Sequence, residues 1–140
     1  MRKMLKNPFV LTLFMWSVLL ILTILYSFLF GSIIVVPKEW LVHFLSGFIT
    51  GGAYVLFWKE NMKDTLRCKI SIYYGLSFTG IYLFLLSMMI ANFYDETAVA
   101  ALNAEFFVVF ILLTLLYGVI SYFGLLLGGK LVARFFRNKN

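Results

Sequence analysis

Four long stretches without a charged side chain constrain this chain more than any other feature. Residues 7–37, 40–58, 70–94 and 106–129 contain no Asp, Glu, Lys or Arg. A bilayer core of about 30 Å takes about 20 apolar residues as helix. Each run is long enough for one crossing, and none is long enough for two. The runs are continuous rather than alternating, and lipid requires every backbone N–H and C=O to be satisfied within its own segment. Helix is therefore predicted over strand, with boundaries at about 9–30, 39–58, 70–94 and 106–128. Composition excludes the water-soluble alternative. Apolar residues make up 63% of the 140, charged residues 13%, and mean hydropathy is +0.97. A soluble domain is about half apolar and about a quarter charged, and a chain this short cannot hide so much apolar surface from water. Disorder demands the opposite composition, and a single cysteine, Cys68, excludes a disulfide scaffold. The sequence predicts one all-α, multi-pass integral membrane domain with the lipid bilayer as its surroundings.

The Lys and Arg positions orient it. Arg2, Lys3 and Lys6 precede the first run. Lys59, Lys63, Arg67 and Lys69 separate the second from the third, and Lys130, Arg134, Arg137 and Lys139 follow the fourth. With four crossings these eleven of the twelve basic residues share one side, opposite Lys38 alone. Positive loops stay cytoplasmic, so both termini are expected inside and the location is expected to be the cell membrane. Glu39, Asp95, Glu96 and Glu105 fall on the other side, and Glu60 and Asp64 among the basic residues. The basic balance reads as topology and calls for no nucleic acid. The first run follows basic residues but outlasts a cleavable signal segment, so a retained signal anchor is expected. Trp40 and Trp58 bracket the second run about 27 Å apart at helical rise, which suits indole rings at the two membrane interfaces.

Short connections make successive helices antiparallel, so an up-down four-helix bundle is the simplest architecture. The two halves share no motif, which leaves an inverted-repeat transporter without support. Small residues mark close approach in lipid. Gly47 and Gly51 form one GxxxG pair, Gly124 and Gly128 a second, and Gly75, Ser77 and Gly80 lie in the third segment. Helices two to four are expected to form the tight core, with helix one at the periphery. The glycines serve either packing within one chain or the seam of a homodimer.

Few residues carry chemistry. His43 is the single histidine and shares a helical stripe with Glu39, Gly47 and Gly51. Glu39 and His43 form either an interfacial polar pair or a proton- or ion-linked site near the outer mouth of the bundle. A bis-histidine haem site needs two histidines, structural zinc needs four His or Cys ligands, and Cys68 has no thiol partner. No nucleophile has a base in an assembled order, and no Gly-rich phosphate loop is present. No enzyme and no cofactor is expected. Small multidrug exporters rely on an acid inside the first membrane helix, and this one offers only Thr12, Ser17, Thr23, Tyr26 and Ser27 as polar members.

The basic side offers a different kind of function. Lys59, Lys63, Arg67 and Lys69, together with Arg134 and Arg137 of the basic, aromatic tail, are either membrane-surface anchors or a docking face for a cytoplasmic protein. One likeness bears on this choice. Ser46-Gly47 through Gly52-Ala53, then Trp58, a charged loop ending near Arg67, and the aromatic start Ile72-Tyr73-Tyr74 resemble small four-span proteins encoded beside LytTR-type transcription regulators. The resemblance covers mainly the second and third helices. It implies a membrane-bound regulator, since some of those proteins inhibit the neighbouring regulator, and it assigns no site residue. The leading expectation is a non-enzymatic membrane regulator or accessory subunit that binds a partner at its inner face. The alternative is a small homo-oligomeric transporter or channel with Glu39 and His43 at its entrance.

Overall fold

Asn7 and Pro8 start the first helix. The Asn7 carboxamide oxygen accepts the Phe9 N–H at 3.0 Å, which satisfies one of the orphan donors of a first turn. Pro8 occupies the first helical position, where its missing N–H costs nothing. The computed structural model describes residues 6–30, 37–93 and 103–137, which form four helices: α1 (Pro8–Phe30), α2 (Pro37–Trp58), α3 (Asp64–Phe93) and α4 (Asn103–Arg137). Pro37 opens α2 in the same way. All four helices are long and apolar enough to cross a membrane. Arg2, Lys3, Asp95, Glu96 and Lys139 lie outside the described residues, as do the side chains of Lys38, Glu39 and Glu105.

Two helix ends differ from expectation. α3 begins at Asp64 rather than near residue 70, so Arg67, Cys68 and Lys69 belong to its first turns and not to a loop. The Lys63 carbonyl accepts the N–H groups of Leu66 and Arg67, both at 3.0 Å, and the Asp64 carboxylate complements the helix dipole in the first turn. α4 continues past Gly128 to Arg137. Nothing after Gly129 breaks a helix, and Arg134 and Arg137 in the last turn favour its negative end. At 1.5 Å per residue α4 is about 50 Å long, well beyond a bilayer core of about 30 Å. Charge marks where an apolar run stops, and a helix ends only where its backbone bonding stops.

The neighbours around the bundle run α1, α2, α4, α3 and back to α1. Helices α2 and α3 follow one another in the chain but sit on a diagonal, with no Cα pair within 8 Å among the described residues. The tightest seam joins α2 to α4, which run parallel, since positions 47, 51 and 52 meet 121–125, 125 and 128–132 in rising order. Gly47, Gly51, Gly124 and Gly128 all face this seam. A Cβ at Gly47 would lie 2.7 Å from the Ser121 carbonyl oxygen. One at Gly51 would run into the Leu125 carbonyl, one at Gly124 into that of Phe44, and one at Gly128 into that of Phe48. The glycines therefore work inside one chain. Gly75 does the same on the antiparallel α3–α4 seam, 2.6 Å from the Thr114 carbonyl oxygen by the same measure. Helix α1 packs more sparsely on α2 and α3 through Leu11, Met15 and Leu19, in keeping with a peripheral first helix.

Small polar side chains share the interior with apolar ones, and large apolar side chains cover the outside. Thr12, His43, Ser46, Thr50, Ser71, Thr79 and Ser121 are buried, while Phe28, Phe57, Phe84 and Leu112 stand exposed on the outside. Several buried hydroxyls return to the preceding turn: Thr12 donates to the Pro8 carbonyl, Ser46 to that of His43, and Thr50 to that of Ser46.

Candidate functional site

The diagonal arrangement of α2 and α3 brings their side chains together on the bundle axis. His43 is 4% exposed, and its Nδ1 and the Tyr74 hydroxyl are hydrogen-bonded at 2.5 Å, with the donor set by the imidazole tautomer. Phe78 meets the imidazole edge-on at 4.4 Å between ring centroids, and Tyr117 of α4 lies at 4.5 Å. Helix α1 closes the cluster. The Trp16 indole stacks near Phe78 at 5.8 Å, and its Nε1–H donates to Ser77 Oγ at 2.9 Å. Each of the four helices thus contributes at least one ring.

The other helices supply the partners that α2 alone does not show. Counting from Trp40 places His43 near the start of its helix, and there its ring packs on Tyr117, halfway along the uncharged run of α4. Its observed partner is Tyr74, whereas the Glu39 side chain lies outside the described residues. Tyr74 stood out only as part of an aromatic stretch, and Phe78 and Tyr117 not at all, because aromatic residues in apolar runs are common and only the crossing of helices selects these. Among the described residues no group of three or more His, Cys, Asp or Glu could hold a metal ion.

The second polar region is one end of the bundle, where the start of α1, the end of α2, the start of α3 and the end of α4 meet. Glu60 closes it. Its Oε1 accepts from Lys6 Nζ at 2.5 Å and from the Tyr54 hydroxyl at 3.0 Å. The Lys6 ammonium first, and the Tyr54 hydroxyl second, hold the Glu60 carboxyl below the usual carboxylate range. Lys59 ends α2 in the left-handed region, at φ 55°. Arg67 pairs with Asp64 and lies 5.9 Å from the Tyr122 ring centroid, and Tyr122 also approaches Asp64 at 3.4 Å. The Arg67 side chain is only 13% exposed, so its charge is engaged within the fold. Lys59, Lys63, Lys69, Arg134 and Arg137 are exposed at the same end. The Lys6–Glu60–Tyr54 connection escaped the sequence reading because its ends lie 54 positions apart.

Comparison with protein-family models, curated proteins and solved structures finds no match for this chain.

Proposed function

We propose that this chain is a non-enzymatic regulator or accessory subunit, multi-pass in the cell membrane with both termini in the cytoplasm, which binds a protein partner at its basic end. One observation carries the reading. Six basic side chains, Lys59, Lys63, Lys69, Lys130, Arg134 and Arg137, stand exposed at one end of an otherwise apolar bundle, and positive charge near helix ends is held on the cytoplasmic side. The resemblance to four-span proteins beside LytTR-type regulators points the same way. The test is capture of the tagged protein from its native membranes in mild detergent, with identification of what co-purifies. A stoichiometric cytoplasmic protein is expected, with recovery reduced at least about tenfold by Lys63→Glu with Arg134→Glu. Such a drop corresponds to about 1.4 kcal/mol, well within what paired surface charges at an interface contribute.

A small transporter is the second reading, and one observation favours it. An ionisable imidazole buried within a membrane helix is by default a functional candidate, and His43 is such a group. Flux in liposomes that contain only this protein, abolished by His43→Gln, would establish the transporter and displace the regulator.

A further inference from the structure

Helices α1 and α2 part on the outer face of the bundle to leave a groove of about 420 Å³. Val10, Leu11 and Phe14 form one wall, and Ala53, Phe57 and Trp58 the other. Its two hydroxyls, Thr50 and Tyr54, already donate to the Ser46 carbonyl and to Glu60, so the groove has no free hydroxyl donor. From Trp58 to Thr50 it climbs about 12 Å by helical rise, close to one leaflet of a core about 30 Å thick. Its lower end is aromatic, with Tyr54 and Trp58 stacked at 4.7 Å, and beyond them the surface turns basic. Lys6 neutralises Glu60. Lys59 and Lys63 are exposed, and neither is in an ion pair among the described residues. Lys59 moreover keeps a left-handed backbone, φ 55°, at a position where glycine would be free of strain.

We propose that this groove is a site for one anionic phospholipid, with an acyl chain along α1 and α2 and its phosphate between Lys59 and Lys63. An apolar channel close to leaflet length, with Lys59 next in the chain to Trp58 at its lower end and Lys63 near the Glu60 carboxylate that holds Tyr54, matches the two halves of such a molecule. Basic pockets between membrane helices recognise lipid headgroups by this chemistry. The site shares Lys59 and Lys63 with the proposed docking end, but it requires no protein partner, and lipid retention by the chain alone can fail or hold whatever partner capture finds.

Native mass spectrometry of the full chain, released from vesicles of equimolar phosphatidylglycerol and phosphatidylcholine, tests it. One phosphatidylglycerol is expected to remain bound, favoured over phosphatidylcholine about thirtyfold from two lysines at the surface. Lys59→Gly, made with Lys63→Gln, should bring retention down to the phosphatidylcholine level without loss of thermal stability, because glycine accepts that backbone angle. Ala53→Phe should fill the groove and release the lipid with both lysines in place. Equal retention of the two lipids by the unaltered chain would overturn the proposal. So would retention that survives Ala53→Phe, or an Ala53→Phe variant that instead turns a dimer into a monomer, since a second copy would then be the occupant.

Discussion

Replacing Gly128 with alanine tests the α2–α4 seam at its closest point. The added methyl would overlap the Phe48 carbonyl oxygen, with the carbonyl carbon at 2.7 Å and the Phe48 Cα at 2.9 Å. Carbon atoms rest at about 3.5–4.0 Å, so the helices must separate by about 1 Å. The obstacles are backbone atoms of a helix, which cannot rotate away as a side chain would. A gap of that size forfeits a quarter to a half of the dispersion energy of each contact along the seam. In lipid that packing is the main attraction between helices. Overpacking typically costs about 1–3 kcal/mol, and the upper part of that range applies here. Helix propensity returns about 1 kcal/mol, which leaves a net destabilisation of about 2 kcal/mol. Gly80 is the control, since a Cβ there meets nothing within 4 Å. Gly80→Ala should stabilise by up to about 1 kcal/mol from propensity alone. Reversible unfolding of the purified protein in mixed micelles, titrated with dodecyl sulfate, measures both. Equal stability of the two variants would refute the seam. A Gly128→Ala penalty that grows with protein concentration would move these glycines from the interior of one chain to a contact between two.

The buried pair at the centre should show in a double-mutant cycle. His43→Phe and Tyr74→Phe each leave one polar atom buried without its partner, at about 1–3 kcal/mol, and the pair should couple by about 0.6 kcal/mol, at most about 1.7, as interhelical hydrogen bonds in membranes do. A coupling of zero in the same unfolding assay would mean that the rings, and not the hydrogen bond, hold α2 to α3. The Lys6–Glu60–Tyr54 connection should depend on pH. The folded Glu60 carboxyl titrates below its ordinary value of 4.5, so its contribution to stability is complete above that value and is lost as pH falls through the folded pKa. Carboxyl carbon NMR should place the Glu60 midpoint below that of an exposed glutamate, and Lys6→Ala should raise it more than Tyr54→Phe does. The reverse order would make the hydroxyl the main cause.

Charge and hydropathy along the chain suffice for four helices long and apolar enough to cross a membrane, and for the gathering of basic residues at one end of them. Those properties follow from the cost of putting charge and unbonded backbone into oil, a cost each segment meets by itself. The close-packing role of Gly47, Gly51, Gly124 and Gly128 was legible for the same reason, since a missing side chain announces itself locally. Their partners were not legible. Connection lengths favour sequential neighbours, and the fold instead sets α2 beside α4 and across a diagonal from α3. A loop of five residues, 59–63, can reach across a bundle as readily as along its edge, so the outcome rests on which small-residue faces fit. That choice is what seals His43, in the first turns of α2, against Tyr74, Phe78 and Tyr117. It also separates Arg67, held by Asp64 and Tyr122, from lysines that stand free, though all read alike in a charged run. Solvation acts on a segment one residue at a time and is written in the sequence. Packing is a property of pairs distant along the chain, and only the assembled helices decide it.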